Sequence, residues 1–200
     1  MLPAVLFIRP HVGLSHMFVL WLTGIPASGK STIAKRLAQE LKSRGVDCEV
    51  LESDEIRKIV TPRASYTDEE RDWFYGVILI WLAKLLFRHN IAVIIDATGH
   101  KRAYRENARR EFGDKFVEVY VKCSLETAMR RDPKGLYRAA LEGRVRTLPG
   151  IQVPYEKPVS PDVVVDTERE DVDTCVRKIL DYLVNRGLLR PQKYCDQLDT

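Results

Sequence analysis

Two hundred residues and 23.0 kDa are enough for one domain with a substantial hydrophobic core. Hydrophobic residues make up 45% and charged residues 30%, which excludes a disordered or collagen-like chain. Lys and Arg number 32 against 28 Asp and Glu; a net charge of +4 is too small to mark a nucleic-acid binder, and it raises the question of where the surplus sits.

Residues 1–16 read as an N-terminal extension. Their apolar run lacks the basic start and small-residue cleavage site of a signal peptide. Residues 18–22 then form a short apolar run ending in a Gly-rich turn, the mark of a buried strand. Residues 30–44 place Ile33, Leu37 and Leu41 on one helical face, and Gly45 stops the helix. Residues 48–51 are a second strand. Thr67 and Glu70 form a capping box that opens a long helix running to about His89. Its apolar part, residues 73–87, contains Lys84 and is too short for a bilayer, so it belongs to a core or an interface. Residues 91–95 read as a buried parallel strand, 102–111 as a charged helix and 116–122 as a strand, with Ser124 capping the next helix. Residues 163–165 are a fifth strand and 171–185 a closing amphipathic helix.

Alternating strands and helices with short links predict an α/β fold, a parallel five-stranded sheet with helices on both faces. The domain spans residues 17–187, and 188–200 are a C-terminal tail. Cys48, Cys123, Cys175 and Cys195 show no C-x-x-C spacing. They read as small buried hydrophobes in a reducing, cytoplasmic setting.

Ligands of such sheets bind at the carboxyl ends of the strands. After the first strand comes Gly24-Ile25-Pro26-Ala27-Ser28-Gly29-Lys30-Ser31-Thr32, the G-x-x-x-x-G-K-[ST] pattern of a P-loop. Its glycines let N–H groups curl toward phosphate oxygens, Lys30 reaches the β- and γ-phosphates, and Ser31 ligates Mg²⁺. This makes ATP and Mg²⁺ the expected cofactors of a P-loop NTPase fold. The second strand ends in Glu52-Ser53-Asp54-Glu55-Ile56-Arg57. There Asp54 can deprotonate an acceptor hydroxyl or order the metal shell, and Arg57 can clamp an anionic acceptor. Asp96, at the end of the third strand, either holds Mg²⁺, contacts the acceptor or simply forms the turn.

Residues 130–138, Arg-Arg-Asp-Pro-Lys-Gly-Leu-Tyr-Arg, form a basic lid within a segment of about 129–158. Residues 129–146 carry six basic and two acidic side chains, a balance equal to the whole net charge. The surplus therefore points to phosphate-bearing small molecules, with no nucleic-acid or membrane partner.

The run 131–137, then Gly150-Ile151, then Pro154-Tyr155-Glu156, resembles the lid and following loop of adenylylsulfate kinases. Together with the P-loop, Asp54 and Arg57, the resemblance covers about residues 17–185. It implies transfer of phosphate from ATP to the 3′-hydroxyl of adenylyl sulfate in sulfate assimilation, with Mg²⁺, in a homodimer. On that resemblance Asp54 is base or metal organiser and Arg57 binds the sulfate–phosphate end. Arg131 and Lys134 contact the nucleotides, while Tyr66, Arg71, Leu148 and Ile151 fall on the acceptor side.

Several positions depart from the family pattern. Glu52-Ser53-Asp54 keeps only the second acid of Asp-Gly-Asp. Trp73, Phe74 and Val77 replace polar and cationic residues along the acceptor helix. Leu148 stands where a Phe stacks on adenine, and Gly99-His100-Lys101 replaces Ser-Pro-Tyr. The stretch 95–98 is similar to P-loop kinases of other acceptors. The alternatives are thus a kinase of another small hydroxyl metabolite, a polynucleotide 5′-kinase, or a nucleotide-binding subunit without turnover.

Overall fold

The structure, a computed structural model, describes residues 16–191. Five parallel strands lie in the order β2-β3-β1-β4-β5: β1 Val19–Thr23, β2 Cys48–Glu52, β3 Ala92–Asp96, β4 Phe116–Lys122 and β5 Val163–Asp166. The central β1 runs in register with both neighbours, Val19 beside Val93 and Phe116. All its residues are buried, which explains why it reads as an unbroken apolar run rather than an alternating one.

Helices cover both faces. Helices α1 (Lys30–Ser43) and α8 (Val172–Asn185) pack Ile33, Leu37, Ile179 and Leu183 against one face. The other face is covered by α3 (Asp68–Trp73), the π-turn Phe74–Ile78, α4 (Leu79–Arg88) and α5 (Arg102–Phe112). Three shorter helices sit near the carboxyl edge: α2 (Ser53–Val60), α6 (Leu125–Arg131) and α7 (Leu136–Leu141).

The expected elements are present, with four differences. The residues after β2 continue directly into α2, which the acidic start Asp54-Glu55 favours at a helix N-terminus. The long helix from residue 68 is interrupted by one π-turn. Its capping box is half-formed. The Thr67 hydroxyl accepts the Glu70 N–H at 3.3 Å, but the Glu70 carboxylate reaches back past Thr67 to the Ser65 and Tyr66 N–H groups and to Arg57. Leu188 and Leu189 are buried, so the packed fold continues beyond Gly187 into the first residues of the expected tail. Residues 1–15 and 192–200, with Cys195, lie outside the described residues. Cys48, Cys123 and Cys175 are free and buried.

Candidate active site

The P-loop leaves β1 at the centre of the sheet and delivers the chain into α1. Two glycines are sterically required. A Cβ on Gly24 would fall 2.5 Å from the Val121 carbonyl, and Gly29 has φ 99°. Gly29 caps α1 without a side chain, which leaves the first-turn N–H groups directed at the loop's interior. The Lys30 ammonium is buried and donates to the Gly24 and Ile25 carbonyls, both at 3.0 Å. Burial lowers its pKa, while the Asp96 and Asp54 carboxylates act in the opposite direction. Burial likewise raises the Asp96 pKa, offset by Lys30 and by the Ser31 hydroxyl. The Ser28 hydroxyl is buried without a protein partner and lies against Gly24, where a Cβ would fall 2.7 Å from it. Ser31 and Asp96 are the hard oxygen donors that fit a divalent cation.

Across the carboxyl edge, α2 and α3 build a second subsite from buried arginines. Arg57 lies over the Phe74 ring at 4.0 Å and is paired with Glu70. Its Nε and Nη2 are buried without protein partners. Arg71 donates to the Thr147 carbonyl at 2.5 Å, and its Nη1 is also buried and unpartnered. The Tyr66 ring lies 5.0 Å from the Arg57 guanidinium and 5.8 Å from that of Arg71. Tyr66 has φ 55°, an uncommon conformation for a bulky residue, held by the Glu70 carboxylate on its N–H at 3.1 Å. Three guanidinium nitrogen sites with unspent hydrogen bonds in a buried setting are an anion receptor. His100, in the loop after β3, borders this subsite. Its pKa is pushed down to about 4 by burial and by the Arg71 and Lys101 cations.

The lid joins the two subsites. Lys134 forms an ion pair with Asp54 at 2.5 Å. That contact raises the Lys134 pKa and brings the lid onto the candidate base. The Tyr137 hydroxyl donates to the Pro26 carbonyl at 2.9 Å, and Asp132 accepts the Tyr137 and Arg138 N–H groups that open α7. Arg131 donates to the Thr167 hydroxyl and carbonyl, and the Thr167 hydroxyl donates to the Ser28 carbonyl at 2.9 Å. Arg130 stays on its own helix with Thr127, and Arg144 pairs with Glu142. Only part of the basic segment therefore faces the site.

Two acceptor-side expectations change. Leu148 is buried among Cys123, Ala128, Tyr137 and Ala140, so it packs the lid's own small core and offers no open face to a ligand. Trp73 and Val77 are half exposed, whereas Phe74 is buried and forms the floor under Arg57, so of the three departures Phe74 is the one that lines the acceptor subsite. Ile151 lines a cleft of about 510 Å³ that adjoins the P-loop through Ile25 and includes Tyr120 and Tyr155.

Sequence reasoning missed three contributors. Thr167 ties the P-loop to the lid. Glu168 accepts hydrogen bonds from the Ser124 N–H and hydroxyl and from the Thr127 hydroxyl, fixing α6. Arg105 is buried with Glu118 at 2.6 Å, and it binds the Gly99, Lys101 and Glu156 carbonyls, joining the loop after β3 to the post-lid strap. Arg105 lies in a helix rich in Arg, and nothing local separates it from Arg109 or Arg110.

A phosphate-cradling loop at the centre of a parallel sheet, a strand-end carboxylate, an anion receptor and a basic lid together define a P-loop kinase, a phosphotransferase acting on a hydroxyl acceptor. A family model described as adenylylsulphate kinase matches residues 16–166. The chain belongs to the adenylylsulfate kinase family. A probable adenylyl-sulfate kinase of Archaeoglobus fulgidus is 43% identical over 77% of this chain and 98% of its own length. An adenylyl-sulfate kinase of Gloeothece citriformis is 40% identical over 86% of this chain and 96% of its own. Among solved structures, the Mycobacterium tuberculosis APS kinase CysC in complex with AMPPNP and APS is similar with a TM-score of 0.79 and 29% identity, covering 84% of this chain and 97% of that one. No helix among the described residues is long and apolar enough to cross a membrane.

Proposed function

We propose that this chain transfers the γ-phosphoryl group of ATP to the 3′-hydroxyl of adenylyl sulfate, giving ADP and 3′-phosphoadenylyl sulfate. The observation that carries the acceptor's identity is the pair of buried guanidiniums, Arg57 and Arg71, with unpartnered nitrogens around Tyr66. A mixed sulfate–phosphate anhydride supplies the multiple anionic oxygens that such a receptor satisfies.

In this reading the loop N–H groups and Lys30 hold the transferring phosphoryl oxygens and offset the charge that builds on them. Asp54 accepts the proton of the attacking hydroxyl. Lys134, paired with Asp54, couples lid closure to the base, and Arg131 with Thr167 lies beside the P-loop on the ATP side. Ser31 and Asp96 would hold Mg²⁺, which when bound supplies further neutralisation of phosphate charge. The working unit is a cytoplasmic homodimer, as the family resemblance implies.

The test is ADP release from ATP by the purified chain, with and without adenylyl sulfate. Acceptor-dependent release well above the water-only rate is expected. Release that ignores adenylyl sulfate but responds to another hydroxyl acceptor would reassign the substrate.

A further inference from the structure

The run Pro154-Tyr155-Glu156 follows the lid, and no step of the phosphoryl transfer uses it. Its task is visible from the helix it meets. Helix α5 starts poorly by itself. Lys101 and Arg102 put two cations at the positive end of the helix, its first turn holds no acid, and Lys101 supplies no side-chain cap. The missing cap comes from 54 residues further along the chain. The Glu156 carboxylate accepts the Arg102 N–H at 2.7 Å and lies 3.7 Å from the Arg102 guanidinium. The Glu156 backbone completes the join. Its N–H donates to the His100 carbonyl at 2.8 Å, and its carbonyl accepts from Arg105 at 2.7 Å.

Tyr155 makes a second join, at the root of the P-loop. Thr23 is the last residue of β1, next to Gly24. Its hydroxyl donates to the Thr98 carbonyl at 2.7 Å, so its one proton is already engaged. In the 3.0 Å contact between the Tyr155 and Thr23 hydroxyls, Tyr155 is therefore the donor. The strap, the P-loop root and the loop after β3 meet in one chain of hydrogen bonds.

Both joins lead to the acceptor arginines. The His100 ring packs edge-on against Tyr75 with centroids 6.4 Å apart, and the Tyr75 ring lies 5.2 Å from the Arg57 guanidinium. At the other end of the strap the Thr147 carbonyl accepts from Arg71. Between Thr147 and Tyr155 the chain is stiffened by its own hydrogen bonds. The Ile151 and Gln152 N–H groups donate to the Leu148 carbonyl, Gly150 N–H donates to the Val153 carbonyl, and the Gln152 side chain accepts the Leu148 N–H. A displacement at Glu156 is thus carried to Arg71 along the strap, and to Arg57 through His100 and Tyr75.

We propose that Tyr155 and Glu156 are positioning residues for the acceptor. They dock the strap to the sheet edge and so fix where Arg57 and Arg71 present their free nitrogens. The assignment rests on the reading of adenylyl sulfate as acceptor and extends it to residues that do not touch that molecule. The ATP side is spared, because Thr23 keeps its bond to Thr98 whether or not Tyr155 is there.

Steady-state kinetics of the full chain test this with Glu156→Ala, Glu156→Gln and Tyr155→Phe. Glu156→Ala should raise the KM for adenylyl sulfate about tenfold while the KM for ATP stays within about twofold of wild type. Glu156→Gln keeps an oxygen for the Arg102 N–H and should recover most of that loss. Tyr155→Phe leaves no buried donor or acceptor unpaired, so it should fold normally and raise the KM for adenylyl sulfate about threefold. A common rise in both KM values, an unchanged KM for adenylyl sulfate in Glu156→Ala, or a Glu156→Gln variant no better than Glu156→Ala would each overturn the proposal. Hydrogen exchange of the ligand-free chain reads the same link without turnover. Glu156→Ala should speed exchange in residues 98–102 and 147–153 together and leave β1 and α1 as they were. Unchanged protection in either segment would also overturn it. A wild-type chain that ignores adenylyl sulfate defeats the substrate reading, and the exchange result then decides the positioning role by itself.

Discussion

The two halves of the site are built by different means. The phosphate cradle is local: nine consecutive residues, a glycine at φ 99° where a side chain would be strained, and the first turn of α1 supply nearly all of it. The acceptor subsite is assembled from α2, α3, the loop after β3 and the lid, and its cations are buried by packing rather than by a loop. Where the cradle uses backbone N–H groups, which only a proline would remove, the receptor uses guanidiniums that must be held off from internal partners. A motif built on backbone is robust to substitution around it. A receptor built on side chains can retain Arg57 and Arg71 while Trp73 and Val77 drift to other uses.

The cradle is most sensitive at Lys30. Lys30→Ala should lower kcat by about 10³-fold or more, with the melting temperature little changed, because the loop's curl depends on Gly24 and Gly29. Steady-state turnover with saturating substrates checks this.

Asp54→Asn tests the junction of the halves. It should reduce kcat by about 10²- to 10⁴-fold while leaving the KM for ATP near its wild-type value. Near-normal kcat would remove Asp54 from the role of base.

On the acceptor side, His100 should carry a pH-dependent part of the stability. His100 is held neutral by burial, with a pKa of about 4 in the fold against about 6.5 in the unfolded chain. Below pH 6.5 the unfolded chain takes up a proton that the folded chain refuses. Stability is therefore fully present above pH 6.5 and lost as pH falls toward 4, by about 3 kcal/mol at most. His100→Gln should flatten that part of the denaturation-versus-pH curve.

Arg71→Lys is the finest probe. Lysine keeps the charge but not the fork, so the KM for adenylyl sulfate should rise about tenfold while the KM for ATP stays unchanged. A shift of both constants together would mean that the halves are not separable.

Features that depend on near neighbours are legible in the chain alone. Strand and helix periodicity, the stop at Gly45, the cap at Ser124 and the whole P-loop could be read because each is decided within a turn or a pleat. Asp54, Arg57, Tyr66 and Arg71 were legible through motif order, and the fold does place Arg57, Tyr66 and Arg71 together. Only the tertiary structure decided the rest. It turned Leu148 into lid core and Trp73 and Val77 outward, and it drew the Glu70 carboxylate past its own cap to Ser65 and Arg57. It also recruited Thr167, Glu168 and Arg105, whose partners lie 36 to 139 residues away or, for Arg105, include a strap 51 residues on. A hydrogen bond across the sheet edge leaves no periodic trace in the chain, because its donor and acceptor are ordinary residues until folding brings them within 3 Å of one another.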